Sequence, residues 1–507
     1  MTGVAAQPGT GLLGEVMGLL SAARQAAPDA ASAAVLDEAM ARAGEPLRVA
    51  IAGRVKAGKS TLLNALIGDH LAATDAGECT RIVTWYRNFH TYRVDLERSD
   101  GSVQQCPFRR DEGMLEIDLG GVSPEDVERL IVWWPSSRLE DVTLVDTPGI
   151  GSISTDLAAR TYGFLVGDAE DSPGSADAVI YLLRHLHGTD VRFLEAFHDD
   201  EMAVATPVNA LGVLARSDEI GGCRLGAMES AQRVAGRYAD DARIRQLCRL
   251  VIPVAGLLAQ AGATLREDEF RQLATIAGIG QQELVELVLT ADRFVAPEAR
   301  VSVPAAARLE LLQRLGLFGV RLAVDLLLRG TVRSSPELAT ALLSTSGISD
   351  LQAALGAQFT SRSQALKARS SLATMTALFR SRAWGDDGRW QRAAEQIASS
   401  AHEIVEIQLL SELWLGELPV GDEAQAEQMA RILGGYGTSP TARLGLPPDT
   451  PAPAVREAAL DLVRQWMRIA EHPLSPARLR SAARSVARSC EGVLAALVPE
   501  PEGGTDR

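Results

Sequence analysis

The first residues that suggest a chemical role form a glycine- and lysine-containing loop at positions 53–60. The loop consists of Gly53, Arg54, Val55, Lys56, Ala57, Gly58, Lys59 and Ser60, and Thr61 follows it. This GxxxxGKS pattern lies between an apolar run (residues 47–52) that predicts a strand and a segment that predicts a helix, as a phosphate-binding loop requires. The helix N-terminus adds partial positive charge. We expect Lys59 to contact the β- and γ-phosphates and Ser60 to ligate Mg²⁺; the alternative is a glycine-rich turn that matches by chance.

Lysine is scarce in this chain, which makes its positions informative. It occurs only at Lys56, Lys59 and Lys367, and every other basic residue is arginine. Two of the three lysines lie in one loop, where a compact ammonium group is not interchangeable with a guanidinium. Lys56 and Arg54 are candidates for stabilising charge on a reacting phosphate. The alternative is that both are solvated on the outer face of the loop.

A second motif, Asp146-Thr147-Pro148-Gly149, follows an apolar run at residues 142–145. Asp146 at a strand end would hold Mg²⁺ through a water molecule, and the Gly149 N–H would contact the γ-phosphate. A motif of this kind downstream of a phosphate loop resembles the switch II motif of regulatory GTPases. An ordinary Pro-Gly turn is the alternative.

Residues after the apolar run 211–215 bear on the identity of the base. GTPases usually carry Asn/Thr-Lys-x-Asp here, and this chain has Ala215-Arg216-Ser217-Asp218. The Asp218 carboxylate can accept hydrogen bonds from N1 and N2 of guanine, a donor pair that adenine lacks. Ala215 removes one polar contact, and Arg216 stands where a lysine usually packs on the base. A surface acidic turn is the alternative. Ala255 fits the last loop that contacts guanine.

Hydrolysis needs residues that sense the γ-phosphate and orient the attacking water. Thr80 is the best candidate for a switch I threonine because it precedes an extended segment, residues 81–86. Its competitors are Thr74 and Thr84. Ile150 stands near the position where small regulatory GTPases carry a water-orienting Gln, so a backbone group, an added cation or another subunit must complete the site. The predicted catalytic residues are Lys59, Thr80 and Lys56, and the predicted magnesium ligands are Ser60, Thr80 and Asp146.

Short apolar runs alternate with helical segments over the first half of the chain. This pattern predicts an α/β P-loop GTPase domain with a mainly parallel sheet. From about residue 257 the strand signal vanishes, which predicts a long α-helical region; its most apolar stretch, residues 311–328, predicts an amphipathic or core helix. The predicted units are N-terminal helices (1–45), a GTPase domain (46–360) with a helical insert (about 257–343), a C-terminal helical region (361–498) and a disordered tail (499–507). The boundary at 360 depends on a Gly-Ile/Leu-x-x-Leu helix start at Gly347, and a rival boundary lies near residue 300.

Composition excludes several classes of protein. The chain has 507 residues and a net charge of −15, which disfavours nucleic acid as a partner. Its five scattered cysteines contain no CxxC pair, so we expect neither a zinc site nor a disulfide framework. No secretory signal or transmembrane helix is expected, and these features favour the cytoplasm.

Together these motifs resemble a known family, the isoniazid-inducible dynamin-like GTPases of mycobacteria. The resemblance is carried by GxxKAGKSTLLNAL, TRIVTW, VDTPG, SDEIG, RLGLFGVRL and GGYGTS…ARLGL, and it spans about residues 47–488. It implies a bacterial dynamin-like architecture, with a GTPase head on an α-helical neck and trunk. In this architecture residues 1–45 join the neck and trunk, and residues 361–498 form the C-terminal helical trunk. It also implies peripheral association with the inner face of the plasma membrane, beside a companion protein of the same family.

The predicted function is a dynamin-like GTPase that binds GTP and GDP with Mg²⁺ and couples hydrolysis to assembly and membrane remodelling. Its partner would be a second copy or a related dynamin-like GTPase. The alternative is a GTP-switched scaffold with little hydrolysis of its own, which the weak base-reading motif favours. A soluble P-loop ATPase or kinase is a third hypothesis, against which Asp146 and Asp218 argue.

A basic stretch without acidic residues, residues 351–385, is a candidate for contact with an anionic membrane. It ends near a turn flanked by Trp384 and Trp390, and tryptophan rings are favoured at the headgroup level. A second basic face at Arg480, Arg484 and Arg488 would add to the attraction. The alternative is that its Leu and Met residues form a helical core and its arginines are solvated.

Overall fold

The computed structural model describes residues 11–69, 71, 82–111, 114–148, 176–184, 208–241, 244, 248–381, 384 and 388–497. The strands in these ranges are β1 (Leu47–Gly53), β2 (Thr84–Asn88), β3 (Arg93–Arg98), β4 (Val103–Gln105), β5 (Phe108–Asp111), β6 (Met114–Ile117), β7 (Val127–Trp134), β8 (Val142–Asp146), β9 (Ala178–Leu183), β10 (Ala210–Ala215) and β11 (Val251–Val254). Over the described part of the chain, nine of them form one sheet in the order β11-β10-β9-β1-β8-β2-β7-β3-β4, and β5 pairs with β6 in a separate hairpin.

Strands β1, β8, β9, β10 and β11 are parallel to one another. Every residue of β1, β9 and β10 is buried. Strands covered on both faces appear in a sequence as continuous apolar runs, which is why these strands are predictable. The observed sheet confirms the predicted α/β fold.

The other half of the sheet is mixed. β2 is antiparallel to β8 and parallel to β7, and β3 is antiparallel to both β7 and β4. Where the two halves meet, on β2, the buried Trp85 ring has three guanidinium groups, those of Arg48, Arg87 and Arg129, at 4.5–4.8 Å from its centroid. Cation–π contacts therefore stabilise these charged side chains at the border between the halves.

The remaining elements are helices: α1 (Leu12–Gln25), α2 (Ala30–Gly44), α3 (Lys59–Ile67), α4 (Ala227–Asp240), α5 (Gly256–Ala263), α6 (Glu267–Ala277), α7 (Gln281–Leu287), α8 (Ala291–Val295), α9 (Ala305–Leu328), α10 (Ser335–Thr345), α11 (Ile348–Gln358), α12 (Ser363–Ser381), α13 (Arg389–Ser400), α14 (His402–Trp414), α15 (Glu423–Ile432), α16 (Pro440–Leu444), α17 (Ala452–Glu471) and α18 (Ala477–Ala496).

Helices α5 to α10 occupy the region predicted as an insert, and α11 follows them against the sheet. Gly347 precedes α11 with φ of 76°, and a Cβ at that position would overlap the Pro253 carbonyl oxygen at the β11 strand. Ile348 and Leu351 are buried in the same core as β1 and α3. The helix predicted to close the GTPase domain therefore packs on its sheet, while the domain boundaries themselves stay a prediction.

Helices α1, α2, α12 and α13 pack together. Their shared core contains Leu372 and Met375, and the half-buried rings of Trp384 and Trp390 pack against it. The Trp384 ring meets Phe379 edge-on, with centroids 4.8 Å apart. These apolar residues are core side chains, as the alternative interpretation of this stretch proposed, so they no longer argue for a lipid contact at this turn.

Polar contacts join this helical layer to the sheet. Arg42 of α2 forms a buried ion pair with Asp177, with 2.8 Å between Nη2 and Oδ1. Lys367 of α12, the only lysine outside the phosphate loop, donates from Nζ to the Glu45 carbonyl oxygen at 2.9 Å. Both contacts fix the point where the chain enters β1.

The C-terminal helices are held by a buried charged cluster centred on Glu406 of α14. The Glu406 carboxylate accepts hydrogen bonds from both Nη atoms of Arg443 and from Ser489 Oγ, the last at 2.7 Å. Arg362 donates to the Leu433 carbonyl oxygen at 2.8 Å beside it. Burial of Glu406 would raise its pKa, but hydrogen bonds from His402, Arg443 and Ser489 and the charge of Arg443 outweigh burial and lower it to about 2.

Helices α17 and α18 form a long hairpin against α14, α15 and α16. None of the helices in the described ranges has the length and apolar character needed to cross a bilayer.

Candidate functional site

The loops that carry the predicted motifs meet at one edge of the sheet. Because β1, β8, β10 and β11 are parallel, their last residues, Gly53, Asp146, Ala215 and Val254, lie on the same side. In α/β sheets of this kind, ligands bind outside the carboxyl ends of the strands. The fold therefore brings together the predicted phosphate loop, Asp146 and the two loops predicted to read the base.

Two glycines shape the loop between β1 and α3. Gly53 (φ 153°) lies so close to β9 that a Cβ would be 3.0 Å from Leu182 Cβ, and Gly58 (φ 102°) is the N-cap of α3. Both φ values lie in a region that favours glycine. Since α3 begins at Lys59, its free N–H groups and positive dipole end face this loop.

The Lys59 side chain folds back across the loop. Its Nζ donates to the carbonyl oxygens of Gly53 and Arg54, at 3.3 and 3.4 Å. Burial lowers the pKa of the Lys59 ammonium, and the charge of Asp146 opposes that shift. Both hydrogen bonds are long, so a phosphate oxygen would offer the ammonium a stronger, charge-assisted partner.

Arg54, Val55 and Lys56 form the exposed outer side of the loop. Lys56 adopts a left-handed φ of 62°, and its carbonyl oxygen accepts a hydrogen bond from Arg216 Nη2 at 3.3 Å. The side chains of Arg54 and Lys56 therefore face solvent, and their role in stabilising charge stays a prediction.

Asp146 faces Ser60 across the loop. Ser60 Oγ donates to Asp146 Oδ2 at 3.4 Å, whereas the buried Oδ1 has no hydrogen-bond partner in the described part of the chain. Burial raises the pKa of Asp146 to about 6, and Lys59 and Ser60 oppose the rise. A buried carboxylate oxygen without a partner, next to a hydroxyl group, fits Mg²⁺, which prefers oxygen ligands. Ser60 and Asp146 are the described residues that would hold this ion, directly or through water.

A cavity of about 150 Å³ opens beside the phosphate loop. Its lining residues are Ala57, Gly58, Thr61, Leu62, Leu182, Val213, Ala215, Arg216, Asp218, Glu219, Val254, Gly256 and Leu257. Most of its walls are apolar, and the Asp218 carboxylate is one of its few charged groups. Apolar walls with a few placed polar groups are typical of a small-molecule pocket, and a flat heteroaromatic base fits this description.

Asp218 lies in a short turn of 3₁₀ helix, Ser217–Glu219, directly after β10. The Ser217 hydroxyl donates to the Leu214 carbonyl oxygen at 2.7 Å, which fixes the turn. Asp218 is only 7% exposed, and burial raises its pKa. Its carboxylate is therefore placed to accept hydrogen bonds from a ligand in the cavity.

Two charged residues that the sequence analysis did not identify support Arg216. Glu219 accepts from Arg216 Nη1 at 2.9 Å and from Arg184 Nη2 at 2.8 Å. Arg216 thus bridges the base-reading turn and the phosphate loop, because its Nη2 reaches the Lys56 carbonyl oxygen. The three-residue spacing of Arg216 and Glu219 is a signal for this ion pair, whereas nothing in the sequence points to Arg184.

Other predicted residues have different positions. Ala255 is fully buried, and its N–H donates to the Ser346 carbonyl oxygen at 2.9 Å; its neighbours Val254 and Gly256 line the cavity instead. Thr84 pairs with Asp146 across β2 and β8 and donates from Oγ1 to the Ile82 carbonyl oxygen. The residues Thr74, Thr80, Gly149 and Ile150 lie outside the described residues.

Comparison with known proteins shows which family this chain resembles. The sequence profile of the dynamin family matches residues 49–170. Isoniazid-induced protein IniC of Mycobacterium tuberculosis (strain H37Rv) is 39% identical over 460 residues, which cover 91% of this chain and 92% of IniC. A bacterial dynamin-like protein of Nostoc punctiforme is 32% identical over 114 residues, 20% of this chain and 16% of that protein. A solved structure of an oligomerised bacterial dynamin pair covers 95% of this chain at 13% identity, with a TM-score of 0.33.

Proposed function

We propose that this chain, which belongs to the family of isoniazid-induced, dynamin-like proteins represented by IniC, binds GTP at this sheet edge and hydrolyses it. The observation that supports this proposal is the adjacency of a phosphate cradle and a base cavity that contains one buried carboxylate. Guanine presents an N–H pair to such a carboxylate and adenine does not, so Asp218 favours guanine nucleotides.

Each described residue has a distinct part in this proposal. The Lys59 ammonium would exchange its two carbonyl partners for oxygens of the β- and γ-phosphates. The N-terminus of α3 would stabilise the remaining negative charge of the phosphates. Mg²⁺, held by Ser60, Asp146 and, from the sequence, Thr80, would neutralise charge on the phosphate oxygens. Hydrogen bonds to Glu219 and to the Lys56 carbonyl oxygen hold the Arg216 guanidinium beside the phosphate loop, and Arg216 lines the base cavity.

Hydrolysis requires a group that orients water, and Ile150 cannot do so. We assign charge stabilisation to Lys56, whose exposed side chain stands on the outer side of the loop. Contact with a second copy or a related dynamin-like GTPase would supply the group that orients water. GTP turnover would then depend on assembly.

A GTP-switched scaffold with little turnover is the second candidate. Ala215 lines the base cavity and offers no polar side chain where Asn or Thr is usual, which weakens nucleotide contacts. Turnover measured with and without a binding partner separates the two candidates, since a scaffold stays slow in both.

We further assign peripheral membrane contact, at the inner face of the plasma membrane, to the turn between α17 and α18. Leu474 in this turn is 88% exposed, the highest value among the large hydrophobic residues of the described chain. Arg468, Arg478 and Arg480 lie in the adjoining turns of the two helices, where Glu471 ends α17 and Arg478 pairs with Glu412. An exposed apolar side chain among basic residues suits an anionic lipid surface.

Equilibrium competition tests the nucleotide assignment. We expect GDP to displace a fluorescent guanine nucleotide far more effectively than ADP does, and Asp218→Asn to weaken GDP binding by about 10- to 100-fold with little effect on ADP. Equal competition by GDP and ADP in the parent protein would contradict the assignment.

Co-sedimentation with vesicles of anionic lipid tests the membrane contact. Leu474→Asp should reduce the pelleted fraction, because it places a charge at the proposed point of insertion. Leu460→Asp is the matched control, since Leu460 is 40% exposed in the middle of α17. Equal loss in both variants, or loss in neither, argues against contact at this turn.

A further inference from the structure

The motif RLGLFGVRL, residues 314–322, has no part in the chemistry proposed above, yet it lies beside the base cavity. It forms the middle of α9, and Gly316 interrupts that helix with φ of 67° and ψ of 171°. This backbone conformation is essentially restricted to glycine. The chain therefore keeps a glycine-dependent break inside an otherwise regular 24-residue helix.

The break lies directly against the base-reading carboxylate. A Cβ at Gly316 would be 3.6 Å from Asp218 Oδ2 and 3.9 Å from Leu257 Cδ1. Asp218 and Leu257 both line the cavity. The backbone at Gly316 thus lies next to two residues of the cavity wall.

The second half of α9 supports both base-reading loops. At Gly319 a Cβ would be 3.0 Å from Leu258 Cδ1, so α9 closely approaches α5, the helix that starts at Gly256. Arg321 donates to four carbonyl oxygens at 2.7–3.0 Å, those of Gly222, Cys223, Val288 and Leu289. One guanidinium therefore ties the end of the Asp218 loop to the helical insert.

The first half of α9 is anchored elsewhere. Arg314 contacts the Glu269 carboxylate and donates to the Thr264 carbonyl oxygen at 2.9 Å. With both halves fixed, the break at Gly316 sets their relative direction, and a straight helix could not satisfy both anchors in the same way.

We propose that α9 positions the guanine-reading loops, with Gly316 and Arg321 as positioning residues that hold Asp218 against the base. This inference depends on the proposed guanine-nucleotide function and adds a determinant of its specificity. Such support matters here because Ala215 supplies no polar contact. In enzymes, the misplacement of a group by about 1 Å can lower the reaction rate by about 100-fold.

Nucleotide affinities of matched variants test the proposal. Gly316→Ala adds a Cβ at the break, where the positive φ is unfavourable for alanine. Arg321→Lys keeps the positive charge, but an ammonium group cannot donate to all four carbonyl oxygens in the geometry of the guanidinium. Gly330→Ala is the control, because Gly330 has the same φ of 67° near the end of α9 with open space around its Cβ position. The ligands are GDP, ADP and inosine diphosphate, which lacks the amino group of guanine.

We expect Gly316→Ala to weaken GDP binding by about tenfold, or about 1.4 kcal/mol, while ADP binding is unchanged. The preference of this variant for GDP over inosine diphosphate should also fall. Arg321→Lys should weaken GDP binding and lower this preference in the same way. The nucleotide affinities of Gly330→Ala should equal those of the parent protein. Where Gly316→Ala does not fold, Arg321→Lys decides alone. Unchanged GDP-to-ADP ratios, or equal losses for all three ligands, overturn the positioning role. A parent protein without guanine preference instead overturns the proposed function itself.

Discussion

Glu406 offers the sharpest test of how the helical part of the protein is stabilised. Glu406 is 5% exposed, and its carboxylate accepts hydrogen bonds from Arg443 and Ser489 of two other helices. Replacing it with glutamine keeps the shape but removes the charge. Arg443 and Arg362 then remain in a largely buried site without their counter-charge, which is the costly way to break a buried ion pair.

The contribution of Glu406 to the free energy of unfolding follows from its pKa. A carboxyl whose pKa falls from 4.5 to about 2 on folding contributes about 3 kcal/mol of stability at neutral pH, since a tenfold change in proton affinity is worth about 1.4 kcal/mol. Because the folded-state pKa is the lower one, this stabilisation is complete above about pH 5. It is lost as the pH falls from the unfolded value toward 2, and about 1 kcal/mol is gone at pH 4.

Denaturant unfolding of Glu406→Gln at pH 7 and pH 4 measures this contribution. We expect the substitution to lower the free energy of unfolding by about 3 kcal/mol at pH 7. At pH 4 this loss should be smaller by about 1 kcal/mol. Glu412→Gln is the control on the same helix, because its ion pair with Arg478 is exposed and should be worth at most about 1 kcal/mol. Equal losses in the two variants at pH 7, or no change of the Glu406→Gln loss with pH, would refute the reasoning.

Two further predictions concern closure of the domain and turnover. Gly347→Ala should lower the unfolding free energy by more than about 1 kcal/mol, because its Cβ would overlap the Pro253 carbonyl oxygen; a melting temperature equal to that of Gly330→Ala would contradict this. Specific GTPase activity should rise with protein concentration, because Ile150 cannot orient water; a constant turnover number would indicate a self-sufficient monomer.

Much of the parallel sheet is predictable because its strands are buried on both faces. Residues 178–183 and 211–215 are apolar throughout, and they match β9 and most of β10. The mixed half of the sheet gives no such signal. Arg129 of β7 lies over the Trp85 ring of β2, and this contact joins strands that are distant in sequence.

Some residues of the candidate site can likewise be predicted from the sequence, and others cannot. Lys59 and Asp146 are identified by local motifs, because strand ends and a helix N-terminus determine their positions. Gly316 is not: residues 311–328 predict one continuous helix, whereas the structure breaks this helix at Gly316, next to Asp218 and Leu257. Likewise, Trp384 next to a turn suggests a membrane contact until α1 and α2, far away in sequence, are seen to cover the same core.

GTP turnover by the purified chain with Mg²⁺, beside its Lys59→Ala variant, tests the central claim most directly. Lys59 is the half-buried cation of the phosphate loop, next to Asp146, and its removal leaves phosphate charge without a partner. We predict release of phosphate from GTP in preference to ATP by the parent protein, and no measurable GTP binding or turnover by Lys59→Ala. Equal turnover in the two proteins, or a parent that prefers ATP, would contradict the account.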